Sequence, residues 1–441
     1  MESVFEICQE PNTIARKYMR KHPLQYAISK GQKKFAFSFS TSDDWVNFAN
    51  SHMYMKVKIV KAVDGSAFAD EDTFSVINIL GHSFIKQLDF YAQNKHILTH
   101  DRLDYRAYFD NMLTHNNNAL KSWCQTSLNF PDQHMNFDKL SADNKGFASR
   151  RQYVKSSRLC ETITTPSCFP FNCDKLLPPG IVYRIEIIRN PDEFLLLCEA
   201  ALGATIEIVE MYLMIEHVIP TIETISKANQ LFLSGKPALY PFEQSVVETF
   251  QITRGATHVE LPSNLTRPSK PRLLLLAMAS EKAFDGNVTL NPYRFQHFNL
   301  KKCQINVAGT RVWPDGLNFD WDAKTYLESY HELQKTLQYF NSDDGMSISR
   351  TGYDNGYFII GCNLDDCVDS TSAQPMNVGD SVISNDLSVI LDFASPLAEN
   401  VRVICYCVYS NLCVVKHVKT AGDGVNATKD VSLNAKLFQS M

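Results

Sequence analysis

The side chains most able to do chemistry in this sequence are histidines, cysteines and aspartates in three short runs. His331-Glu332-Leu333 begins like the zinc-binding helix of a metalloprotease, in which two His one turn apart hold the metal and the Glu acts as base. Lys335 stands where the second His is required, so that site lacks a ligand. Cys362 and Cys367 flank Asp365-Asp366. A structural zinc site needs a second such pair or a nearby His, and the sequence supplies neither. Asp343-Asp344-Gly345 has the acidic start of a calcium loop without the spaced oxygen ligands that complete one. No Gly-x-Ser-x-Gly elbow positions a nucleophilic serine, and no phosphate-cradling P-loop is present. The residues therefore assign no catalytic group, no metal and no organic cofactor. Asn264, Asn287 and Asn426 open glycosylation sequons, expected to be chance matches in a chain without a secretion signal.

The elements that could position any site are mainly strands. Phe35, Phe37 and Phe39 share one face, with Ala36 and Ser38 opposite. Met53, Met55, Val57 and Ile59 alternate with Tyr54, Lys56 and Lys58. The same period of two recurs at Ile185 and Ile187, at Cys303, Ile305 and Val307, at Leu387 to Phe393, and at Val401, Val403, Cys405 and Cys407. Such stretches form half-buried sheets with one side on a core. Many strands and few helices predict β-sandwiches or jelly rolls. A content of 27 Phe and 18 Tyr points the same way, because aromatics pack well across strands.

Two stretches break the alternation. Residues 102–114 place Tyr105, Tyr108, Phe109, Met112 and Leu113 at helical spacing. Residues 323–340 do so with Tyr326, Tyr330, Leu333, Leu337 and Phe340, and Asp322 is the expected cap. Both helices fall in long insertions between strands. The expected organisation is an N-terminal arm over 1–34, a first domain over 35–219, a linker over 220–245, a second domain over 246–420 and a tail over 421–441. The linker is marked by Ser234-Gly235-Lys236-Pro237. Residues 115–180 have no clear period and read as an excursion on an exposed face, with a basic pair at Arg150-Arg151.

The formal net charge of −5 predicts no whole-chain attraction to nucleic acid, although Arg16, Lys17, Arg20, Lys21, Lys30, Lys33 and Lys34 make the arm basic. No run of about eighteen apolar residues exists to span a membrane. Met1 to Glu10 lack a basic region followed by an apolar run, so no signal peptide is expected. The 12 Cys then read as reduced core thiols.

Several motifs, in order along the chain, resemble those of one family. They are Leu80-Gly81-His82-Ser83-Phe84-Ile85 followed by an Asn94-Lys95 turn, Asp104-Tyr105-Arg106-Ala107-Tyr108-Phe109, and Arg184-Ile185-Glu186-Ile187-Ile188-Arg189-Asn190. The second half adds Pro271 to Ala279, Phe284-Asp285-Gly286-Asn287, Asn291-Pro292-Tyr293-Arg294-Phe295-Gln296-His297-Phe298, Tyr353-Asp354-Asn355-Gly356-Tyr357 and Leu391-Asp392-Phe393. The set resembles the hexon-type double jelly-roll major capsid proteins of adintoviruses and Polinton (Maverick) elements. Tyr293 stands where that family usually has Phe, and the Asn291-Pro292 turn is expected to lead into an aromatic strand.

The resemblance implies an all-β chain of two tandem jelly rolls with helical insertions in loops. It implies a homotrimer that tiles an icosahedral shell around double-stranded DNA, beside a minor vertex (penton) protein and cement proteins. It also implies a place in the virion capsid, with assembly inside the host cell nucleus. Phe109, Tyr326 and Tyr330, on the two insertion helices, are the expected trimer contacts, with burial in a domain core as the competing role. Two other classes stay open: a domesticated capsid-like host protein, and a carbohydrate-binding or hydrolytic jelly roll, which would need a cleft with paired carboxylates.

Overall fold

A computed structural model describes residues 13–262, 271–307, 309–337, 346–364, 387–418 and 428–433. The first half folds into two four-stranded antiparallel sheets. One orders Ile14–Pro23, Ala204–Pro220, Trp45–Lys61 and Cys160–Thr164; the other orders Lys34–Ser40, Val182–Arg189, Ile85–Ala92 and Lys95–His100. The alternating faces meet between them. Phe48 of the first sheet lies edge-on against Phe90 and Tyr183 of the second, 6.1 and 5.7 Å between ring centres. Phe35, Phe37, Met53, Met55, Val57 and Ile59 are fully buried there, as their spacing predicts.

The second half repeats the plan. One sheet orders Ala238–Ile252, Val401–Val418, Leu273–Ser280 and Ile359–Asn363, with Thr428–Leu433 added beside Val401–Val418. The other orders His258–Leu261, Leu387–Phe393, Leu300–Val307 and Thr310–Arg311, with Leu317–Asn318 also paired to Leu300–Val307. In both halves a strand near the start pairs with one near the end: Ile14–Pro23 with Ala204–Pro220, and Ala238–Ile252 with Val401–Val418. This wrapping of distant strands in two antiparallel sheets is the jelly roll.

Several local expectations change in the structure. The arm contains the edge strand Ile14–Pro23, the linker contains a helix at Ile222–Leu233 and the start of Ala238–Ile252, and the tail contains Thr428–Leu433. The second insertion helix runs only over Leu327–Thr336. Asp322 does not cap it, because the chain first makes a turn in which Asp320 Oδ1 accepts from Ala323 N and Lys324 takes a φ of 59°. The short hairpin turns at Gln93-Asn94, both at positive φ, one residue before the expected position. Val403–Val408 is buried on both faces, not one, because its sheet also carries the first insertion helix.

Candidate functional site

The chemically richest region is the seam between the two jelly rolls. The helix Leu103–Thr114 sits in it. Tyr105, Tyr108 and Phe109 fall on one side of that helix by its 3.6-residue period. Each meets an aromatic of the second half. Tyr105 stacks on Phe284 at 5.3 Å, Tyr108 on Tyr293 at 3.9 Å and Phe109 on Phe295 at 5.3 Å. Aromatic pairs in such geometry are worth about 0.5–1.5 kcal/mol each beyond the area they bury.

Tyr293, Phe295 and His297 do not form the aromatic strand expected of them. Residues 292–293 turn, Phe295 makes a single bridge to Tyr357, and His297 leaves the seam to stack on Trp321 at 3.8 Å. Alternating spacing fails here because each ring is held by a different neighbour, so no ladder forms.

Polar groups lock the same seam. Asp104 is fully buried and accepts from Asn190 Nδ2 at 2.9 Å, with the Arg102 guanidinium 3.0 Å away. Burial pushes its carboxyl up against the pull of Arg102 and Asn190. Tyr105 donates to the Pro292 carbonyl at 3.1 Å. The Tyr406 hydroxyl donates to Asp110 Oδ1 at 2.6 Å, and burial raises the Asp110 carboxyl as well. Arg106 donates to His100 Nδ1 at 3.1 Å, which leaves His100 Nε2 to donate to the Phe169 carbonyl at 2.9 Å. Burial and then the Arg106 charge push His100 down to about 3, so the ring is neutral.

The strongest lock is Asp132 with Arg150, both side chains at 0% exposure and 2.6 Å apart. Asp132 Oδ1 also accepts from Asn144 Nδ2 at 2.9 Å, and Oδ2 from Asn291 Nδ2 of the second half at 2.8 Å. Its backbone carbonyl accepts from the Tyr357 hydroxyl at 2.6 Å. Arg150 also donates to the carbonyls of Val76 and Phe130. Beside it, Asp138 Oδ1 accepts from Asn291 N at 2.7 Å and Asp138 pairs with Arg294. Gly356 completes this corner. Its φ is +111°, and an added Cβ would lie 2.3 Å from the Phe137 ring.

The sequence missed Asp132, Arg150 and Asn144, which lie in the stretch expected to be exposed. Asn291-Pro292 was the nearest signal, since that turn delivers Asn291 to Asp132. Of the expected trimer contacts, Phe109 and Tyr326 are buried within the chain, at 0% and 4% exposure. Tyr330 is half-buried and donates to the Ile348 carbonyl at 3.0 Å. A cavity of about 220 Å³ lies beside the seam, lined among others by Asn78, Asn111, Asn129, His134, Asp132 and Tyr357. Asp132 is its lone carboxylate among the described residues, and that group is already held by three side chains.

Cys362 is a buried strand residue; Cys367, Asp365, Asp366, Asp343, Asp344 and Gly345 lie outside the described residues, as do Cys8, Asn264 and Asn426. Among the described residues no three His, Cys, Asp or Glu converge as metal ligands, no helix is long and apolar enough to cross a membrane, and the cysteines are buried and unpaired by disulfides.

The Tyr293 hydroxyl offers a small, checkable effect. It lies 2.6 Å from Ser83 Oγ, which itself donates to the Asn78 carbonyl. Tyr293→Phe keeps the stack on Tyr108 and removes the bond to Ser83 and a longer one, 3.4 Å, to the Asp104 carbonyl, so it is expected to cost about 1–2 kcal/mol in chemical denaturation. A loss above about 3 kcal/mol contradicts that assignment.

Two antiparallel jelly rolls in one chain, joined by a buried seam, define the double jelly-roll fold of viral capsid proteins. The chain superposes on a chain of the Sputnik virophage with a TM-score of 0.57 at 9% identity, covering 98% of this chain and 91% of that one. The capsid of the virus PBCV-1 gives 0.54 at 9% identity, covering 94% and 97%. The mavirus major capsid protein gives 0.52 at 9% identity, covering 97% and 92%. An uncharacterized protein of Caenorhabditis elegans is 23% identical over 336 residues, which is 74% of this chain and 75% of that protein. No family model matches the chain.

Proposed function

We propose that this chain is a hexon-type major capsid protein, of the kind found in adintoviruses and Polinton (Maverick) elements, and that it performs no catalysis. The observation that carries the reading is the rigid pair of jelly rolls, alike to capsid-protein structures over nearly the whole chain. A shell needs a block that keeps its shape under load, and a seam of stacked rings and buried ion pairs supplies one. Three such chains present six jelly rolls, so a trimer is a pseudo-hexagonal tile. Its partners are then neighbouring tiles, a vertex protein and cementing proteins in a capsid around double-stranded DNA, with assembly in the nucleus.

Burial of Phe109 and Tyr326 within the single chain supports the core role for both, and exposed side chains of the same insertions are then the proposed subunit contacts. Among the described residues, Trp123 (59% exposed), Met135 (67%), Tyr153 (47%), Leu159 (57%) and Leu327 (52%) are large apolar groups left uncovered there. A closed ring uses two different patches per subunit, and the insertions of the two halves offer them. Light scattering is expected to give three times the 50.0 kDa chain mass, with hexagonal particles in negative stain. Trp123→Glu should shift that trimer toward monomer without unfolding it. Monodisperse monomer at micromolar concentration would overturn the reading, since obligate interfaces exceed about 2,000 Å².

The nematode relative favours one second reading, a domesticated capsid-like protein encoded by a host genome. Trimers that never close into shells, alone or with DNA, would favour it. A carbohydrate hydrolase has less support, because the seam cavity has no free carboxylate pair.

A further inference from the structure

Among the described residues, the strand Ile14–Pro23 lies at the edge of its sheet and pairs only with Ala204–Pro220. Its side chains are exposed or half-buried with one exception, His22, at 6% exposure. His22 is thus the strand's one buried anchor. Its Nε2 lies 3.2 Å from Nε2 of His217, which is fully buried on the neighbouring strand. The His22 ring also packs on Phe39, at 4.4 Å. On its far side, His217 Nδ1 is 3.3 Å from Asp44 Oδ2, near enough to share charge though not aligned as a hydrogen bond. Tyr18, from the same edge strand, stacks on His217 at 5.3 Å and donates its hydroxyl to Asp44.

We propose that the His22–His217 pair is an acid-sensitive latch: it holds the edge strand Ile14–Pro23 in the sheet when it shares a single bridging proton, and releases the strand when both facing nitrogens carry one.

The geometry requires one nitrogen to donate and the other to accept. A first added proton is tolerated on the outer nitrogen of His217, where Asp44 faces it. A second proton, on the accepting nitrogen, sets donor against donor at hydrogen-bond distance and places two positive rings in a site with little water. The charged groups around the pair are Asp44, which favours protonation, and Arg20, which opposes it at both rings. The Tyr18 hydroxyl is held protonated by its bond to Asp44, so it adds no charge. Burial, then His217, then Arg20 push His22 from 6.5 down to about 4, and burial lowers His217 despite Asp44. The released state binds more protons over that window. Docking of the strand therefore loses stability as the pH falls from about 6.5 to about 4.

Release has two consequences. The Ala204–Pro220 strand gains an unpaired backbone edge able to accept another strand. Arg16, Lys17, Arg20 and Lys21 leave the sheet on a free basic segment, and the Lys21–Glu210 pair at 2.6 Å is broken.

Hydrogen exchange of the full chain between pH 7 and pH 4, corrected for the intrinsic effect of pH, tests the latch. The amides of 14–23 are expected to lose protection about ten-fold or more while Trp45–Lys61 and Val401–Val408 keep theirs. His22→Gln, which can still hydrogen bond but cannot be charged, should retain that protection at the lower pH; His217→Gln is the second such variant. Loss in His22→Gln at the same pH as in the parent chain overturns the proposal. So does a parent chain that keeps its edge strand at pH 4, or one in which the strand and both core segments open together. Should neither variant fold, the parent titration decides by the same two outcomes.

Discussion

Asp132→Ala is expected to destabilise the chain by about 3–5 kcal/mol, because it leaves the buried Arg150 guanidinium without its carboxylate partner. Both side chains are at 0% exposure, so the orphaned charge stays buried. The same change leaves the amides of Asn144 and Asn291 short of an acceptor. Replacing a buried ion pair with apolar residues can be neutral elsewhere. Here it should not be, since Arg150 also serves the carbonyls of Val76 and Phe130. Arg150→Met combined with Asp132→Leu is therefore expected to remain well below the parent stability. Guanidinium denaturation followed by calorimetry checks both variants. A midpoint for Asp132→Ala within about 0.5 kcal/mol of the parent would show that the pair does not hold the seam.

Phe109→Ala is expected to cost about 3–5 kcal/mol, as for a large aromatic removed from a closed core. The ring is fully buried, stacked on Phe295 at 5.3 Å and set against Tyr406 at 5.4 Å. These partners all belong to the second half, so the cavity opens at the seam itself. The measurement to pair with stability is subunit stoichiometry. Because Phe109 has no exposed surface in the single chain, surviving Phe109→Ala protein should form the same oligomer as the parent. Normal stability with lost oligomers would instead return Phe109 to the subunit interface. Trp123→Glu is the opposite case, with oligomers weakened and the fold kept.

The contrast between those residues marks where sequence reading ends. Strands were legible because a period of two is local: Phe35, Phe37 and Phe39 must share a face whatever lies opposite. The helix Leu103–Thr114 was legible within one residue for the same reason, since its ring spacing is set by one helical period. That the chain divides into two β-rich halves also followed from local patterns, and the jelly-roll class from motif order.

Tertiary structure alone decided which apolar face meets which partner. The rings of residues 105–109 gave no sign whether they faced a core, the other half or another subunit, because burial depends on what arrives from some two hundred residues away. Arg150 looked like a surface base until Asp132 and the carbonyls of Val76 and Phe130 came to meet it, and a charge is buried only where such partners converge. Tyr293 and Phe295 alternated like a strand, yet the backbone there makes one isolated bridge, Phe295 to Tyr357, and a ladder needs a run of such pairs. His22 and His217 are 195 residues apart, and each alone is an unremarked polar residue on a strand. Periodicity reports the shape of one element, whereas the energy of a buried charge or a shared proton belongs to the pair, and only the fold brings the pair together.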